Sequence, residues 1–145
     1  MKNKFINKRL SLVTILLLAV LVSGCTADEN DPIDESKVQW DHYNKHAEVF
    51  IDFMVNDDFD AAVAMFDRTM TRSINAEMLE AIWDEIIQHA GGFITFYDVE
   101  NMVADGYFVC DITSLHENIG VILRVVFDKN ELVAGFFIMD YPTLP

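Results

Sequence analysis

Arg124 stands in the run Ile119-Gly120-Val121-Ile122-Leu123-Arg124-Val125-Val126-Phe127, a guanidinium inside an otherwise apolar stretch. An unpaired charge in such a setting is costly, so it needs a carboxylate or phosphate. As a ligand group it would clamp an anion through two parallel hydrogen bonds. As a structural group it would pair across strands with Asp98, Glu100 or Asp111, the commoner use of such an arginine. His42 and His46 have the i, i+4 spacing that puts two imidazoles on one helix face, as a zinc site requires. Asp41 and Tyr43 flank His42 where a metalloprotease would have a Glu, and the pair reads as two solvent-facing histidines. His89 falls where it would meet a helix C-terminal dipole, and His116 in a turn. Cys110 alternates with Phe108 and Ile112 and reads as a small buried hydrophobe. The chain holds no Gly-x-Ser-x-Gly elbow, phosphate-cradling glycine loop or Cys-x-x-Cys, and neither a cofactor nor a metal is expected.

The elements that position these side chains follow from hydrophobic periodicity. Trp40, Tyr43, Ala47, Phe50, Ile51 and Met54 lie at helical spacing. Asn56-Asp57-Asp58 supplies cap oxygens for a second helix buried through Phe59, Ala62, Val63, Phe66 and Met70. A third starts near Asn75, presents Leu79, Ile82, Trp83, Ile86, Ile87 and Ala90, and stops at Gly91-Gly92. Aromatic and β-branched residues then mark strands at 93–103, 107–114, 119–127 and 132–139. Asp105-Gly106 is a hairpin signal, and the two other turns are 116–118 and 128–131. Short turns between successive strands imply an antiparallel meander, so the fold class is α+β, with three N-terminal helices on one four-stranded sheet. Phe136 and Phe137, as strand neighbours, face opposite sides of the sheet, so both faces are apolar there. One face meets the helices, and a second copy of the chain is the simplest cover for the other.

The 145 residues include 10 Lys plus Arg and 24 Asp plus Glu, a net charge of −14, and suffice for one domain. Such acidity excludes a nucleic-acid partner, since phosphate binding needs a basic footprint. Four of the basic residues (Lys2, Lys4, Lys8 and Arg9) precede the apolar stretch Leu10–Val22, a secretory signal pattern too short to span a bilayer comfortably. Val22-Ser23-Gly24-Cys25 resembles the lipobox of lipoproteins. The resemblance implies removal of residues 1–24, lipidation of Cys25 (palmitate among its acyl chains), and localisation at the extracytoplasmic face of the cell membrane. The remaining chain would carry a charge of −18 and be held by its lipid rather than by its protein surface. Residues 25–39 read as the lipidated cysteine and an acidic flexible tether, and 40–145 as the folded domain.

Three stretches carry a second resemblance: Ala47…Phe50-Ile51…Asn56-Asp57-Asp58-Phe59-Asp60-Ala61-Ala62…Phe66-Asp67…Met70, then Leu79…Trp83…Gly92-Phe93, then Leu123–Asp128…Val133-Ala134-Gly135-Phe136. Over residues 45–139 the order and spacing resemble an uncharacterised domain family of the nuclear-transport-factor-two-like, or cystatin-like, superfamily. That resemblance implies a cone, with helices across a curved sheet and a cavity at its open end. Arg124, Tyr107, Trp83 and Phe50 are the expected ligand-cavity residues. It also implies a non-catalytic small-ligand-binding or protein-interaction module, with a homodimer or a separate cell-envelope hydrolase among its expected partners. The alternative is a small isomerase-, dehydratase- or hydrolase-associated enzyme with a cavity Asp or His as base.

Overall fold

The computed structural model describes residues 33–141; the expected leader, Cys25 and residues 26–32 of the tether lie outside them. After a 3-10 turn, Glu35–Lys37, come α1 (Trp40–Val55), α2 (Phe59–Ala64), α3 (Arg68–Ser73) and α4 (Ala76–Ala90). Four strands follow: β1 (Phe93–Ala104), β2 (Tyr107–His116), β3 (Gly120–Phe127) and β4 (Val133–Asp140). The last residues of the expected tether, 33–39, lie within the described structure, where Ile33 and Val38 pack on the core. No helix among the described residues is long and apolar enough to cross a membrane.

Side-chain caps explain most helix starts. Oδ1 of Asp58 accepts from Ala61 N at 3.2 Å, and Oδ1 of Asn75 accepts from Met78 N at 2.9 Å, each satisfying an orphan donor of the first turn. The expected second helix is in fact two, so the α-helices among the described residues number four. Met65 O accepts from Val133 N and Asp67 N donates to Val133 O, both at 2.8 Å, forming a parallel bridge between Phe66 and β4. Backbone groups engaged with a strand cannot also continue a helical ladder, and Asp67 then caps α3 through Met70 N at 2.7 Å.

The sheet is an antiparallel meander in the order β1-β2-β3-β4. Its helix-facing side carries Phe108, Cys110, Ile112, Val121, Leu123, Val125 and Phe127 against Ala47, Phe50, Ile51, Met54, Leu79, Trp83 and Ile86. Register shifts interrupt β1 between Phe93 and Thr95 and between Phe96 and Asp98. At the outer border of β1, the Glu35 carboxylate accepts from Val103 N at 3.3 Å.

On the opposite face Asp111 and Arg124 are directly paired strand neighbours. Arg124 Nε and Nη2 donate to the two Asp111 carboxylate oxygens at 2.7 Å each, with side chains 28% and 13% exposed. The hydrogen bonds that Arg124 donates to the Asp111 carboxylate hold the guanidinium pKa above its usual value. Asp111→Asn leaves that half-buried cation without its counter-charge and is expected to cost about 1–3 kcal/mol in urea unfolding. Asp111→Thr combined with Arg124→Val should cost less than the single change. Equal losses would show that the pair is not an interacting unit.

Candidate functional site

The four expected cavity residues are not brought together. Phe50 is fully buried in the core, packed edge-on to Phe136 with ring centroids 5.3 Å apart. Trp83 is 4% exposed and lies beside His116. Arg124 is on the outer sheet face, bound to Asp111. Tyr107 is exposed at the start of β2. Phe50, Met54, Leu79, Ile86 and Phe127, all fully buried, fill the space between helices and sheet.

A cleft of about 440 Å³ instead opens between the 3-10 turn, α1 and the β3–β4 turn, lined by Ile33, Asp34, Lys37, Val38, Gln39, His42, Tyr43, Phe108 and Glu131. Its floor is aromatic: Tyr43 stacks on Phe108 at 4.3 Å, and Trp40 meets Phe108 edge-on at 6.2 Å. Burial, and secondarily the nearby Glu131 and Asp128 carboxylates, push the Tyr43 phenol pKa up. On the rim Lys37 pairs with Asp34 at 3.1 Å.

His42 and His46 project from the same face of α1 with ring centroids 4.3 Å apart. Both residues are part-buried, the His42 side chain being 40% exposed, yet His42 Nε2 and His46 Nδ1 are themselves buried without a hydrogen-bond partner. Glu131 Oε2 approaches His42 Nε2 to 3.0 Å, a charge-pair distance that lacks the alignment of a hydrogen bond. The turn that delivers Glu131 is built by Asp128, whose Oδ1 accepts from Asn130 N at 2.8 Å and Leu132 N at 3.0 Å. Glu131 has φ of 65°, unusual for a residue with a long side chain. The 131 − 42 = 89 residues of sequence separation hid this third group. The only sequence signal was the histidine spacing.

Two other chemistry-bearing groups are sealed. Cys110 is fully buried, and desolvation pushes its thiol pKa up to about 12, which suits a packed side chain rather than a nucleophile. His116, expected in a turn, ends β2 and is 5% exposed. Its Nδ1–H donates to Gly91 O at 3.0 Å, while Ser114 Oγ lies 3.1 Å from its Nε2 and 3.1 Å from Val121 O. The serine hydroxyl has one proton and serves one of those acceptors at a time. Burial lowers the His116 pKa below 6.5, the Gly91 hydrogen bond opposing in part. The folded state therefore resists a proton that the unfolded chain accepts. This contribution to stability is complete above about pH 6.5 and is lost as pH falls through the lower folded value. Thermal unfolding should show a Tm that declines on acidification from about pH 6.5, with a shallower decline in His116→Asn. Identical slopes in both proteins would exclude His116 as the source.

Comparison with known families matches residues 47–136 to a family described as a protein of unknown function, DUF3887. The chain belongs to that family. The matched DUF3887 segment runs from α1 into β4, and so contains the α2–α3 break, the Gly91 junction and Glu131. His42 and the 3-10 turn precede it, so the cleft of this DUF3887 protein is built partly from residues outside the matched segment. No curated protein and no solved structure matches the chain significantly.

Proposed function

We propose that this DUF3887 protein is a lipid-anchored extracytoplasmic lipoprotein with a cystatin-like cone architecture. In this reading Cys25 is lipidated, and the domain acts as a non-catalytic module that takes a small ligand. The observation that carries it is the cleft, whose stacked Tyr43 and Phe108 floor and mixed Asp34, Lys37, His42 and Glu131 rim combine apolar contact with a few polar groups. The cleft sits beside Ile33 and Val38, so ligand and anchor lie at the same end of the chain. The enzyme alternative needs an enclosed interior cavity with a base, and the volume it would use is filled by Phe50, Met54 and Phe127.

A second copy, rather than a hydrolase, is the favoured protein partner in this reading. Met102, Val109, Val126 and Gly135 are successive register partners on the outer face, and Phe137 lays its ring over Gly135 at 53% exposure. That apolar stripe adjoins the Asp111–Arg124 row; Val109 and Gly135 are themselves covered, and exposed Met102 and Phe137 are the groups it offers to a second copy.

Native mass spectrometry of the chain without residues 1–25 tests both parts of the binding reading. The expected result is a dimer, a defined extra mass, or both, with Phe137→Glu abolishing the dimer. A bare monomer would remove ligand and dimer together. For the anchor, palmitate labelling and membrane fractionation should both be lost in Cys25→Ala; unlabelled wild-type protein would reject the lipoprotein assignment.

A further inference from the structure

We propose that His42, His46 and Glu131 bind one late first-row divalent transition ion, with zinc as its simplest occupant. One donor atom from each of the three residues lies within 4.8 Å of the others. Two imidazoles and one carboxylate form a three-ligand set suited to zinc with one coordination position left over.

The alternative is an ordinary histidine–carboxylate ion pair, whose 3.0 Å distance the site has but whose hydrogen-bond alignment it lacks. A direct hydrogen bond places the oxygen on the axis of the ring nitrogen. Glu131 Oε2 comes to 3.0 Å from His42 Nε2 but off that axis. In a tetrahedral zinc site with bonds of about 2.0–2.1 Å, neighbouring donors are roughly 3.3–3.5 Å apart, and each lies off the lone-pair axis of the other. An ion between them would account for the misalignment, with the pair opening slightly from 3.0 Å to that spacing. A second buried ring nitrogen without a hydrogen-bond partner, His46 Nδ1, lies one helical turn away. Donor separations of up to 4.8 Å must close by as much as about 1.5 Å to reach that spacing, and the Glu131 side chain, 49% exposed on its turn, is free to move toward the two imidazoles.

The surroundings favour a cation. Asp128 stands in the same turn as Glu131, and Lys37, which also lines the cleft, is paired with Asp34. Because His42 and Glu131 both line the cleft, the remaining coordination position would open there. A ligand with an anionic or imidazole-like donor would then reach the ion from above the Tyr43–Phe108 floor. The metal site is independent of the anchor and of whether an organic ligand binds, and its test reads the ion alone.

The experiment is calorimetric titration of zinc into the full-length protein in detergent micelles, stripped beforehand with chelator. Cobalt absorbance provides a parallel readout of coordination number. The expected result is one ion per chain, visible cobalt bands of four or five coordination, and affinity weakened at least about tenfold in both His46→Gln and Glu131→Gln. His89→Gln, an exposed histidine on α4, should leave binding unchanged. Glu131→Gln alters an exposed turn side chain and carries the test even where His46→Gln disturbs α1. No saturable binding below roughly millimolar zinc, or equal affinity in wild type and Glu131→Gln, would overturn the proposal. A protein that fails this test but carries a small-molecule mass would retain the binding reading and lose only the metal.

Discussion

Gly91→Ala is expected to lower unfolding free energy by roughly 3 kcal/mol or more and Tm by about 10–20 °C. Two independent penalties meet there. The backbone has φ of 85° and ψ of 179°, a region that residues with a side chain scarcely enter. An added Cβ would lie 2.8 Å from Glu117 Cβ and 2.9 Å from Asn118 Nδ2. The Asn118 amide can rotate away, but Glu117 Cβ moves only with its backbone, which is held because Glu117 N donates to Gly92 O at 3.0 Å and Asn118 N to Ala90 O at 2.9 Å. Gly91 also presents the carbonyl that His116 holds, so a shift here disturbs α4 and the β2–β3 turn together. Gly106→Ala is the matched control. Its φ of 81° is also in the positive range, but nothing lies within 4 Å of an added Cβ, so it should cost only about 1–2 kcal/mol. Equal Tm losses for the two variants in thermal circular dichroism would show that the contact with the turn contributes nothing.

Phe50→Ala is expected to cost about 3–5 kcal/mol in chemical denaturation. Phe50 is fully buried on α1 and contacts Phe66, with ring centroids 5.8 Å apart, as well as Phe136. Truncation leaves a void between the α2–α3 junction and β4, where the Phe66–Val133 bridge limits collapse. Phe50→Leu retains most of the volume and should lose less. In the cleft-binding reading, ligand affinity of folded Phe50→Leu stays at wild-type level, because Phe50 does not line the cleft. A loss below about 1 kcal/mol for Phe50→Ala would mean that this region repacks freely.

Features encoded by local chemistry were legible from sequence. The α1 stripe, the Asn75 cap, the Gly91 stop and the Asp105-Gly106 hairpin each depend on residues a few positions apart, and each is where the pattern places it. Arg124 was narrowed to three carboxylates, and register selected Asp111. What escaped depended on distant partners. The apolar spacing from Phe59 to Met70 continues through Phe66 with no helix breaker, and only the approach of Val133 divides it. His116 sits among turn-forming neighbours, yet Gly91, 25 positions away, draws it inward. The His42–His46 spacing was visible, but its meaning changes once the fold folds Glu131 onto it.

The two borders of the open sheet bear on solubility. A bare strand border is a template for addition of another chain, the route to fibrous aggregates. The register shifts near Phe93 and Phe96 break the regular hydrogen-bonding row of β1, exposed Asp98 and Glu100 add charge beside it, and Glu35 occupies the Val103 N–H. At β4 the Met65–Asp67 backbone occupies both polar groups of Val133. Growth of the sheet by added strands is thereby disfavoured at both ends, and two copies that associate are left to meet face to face.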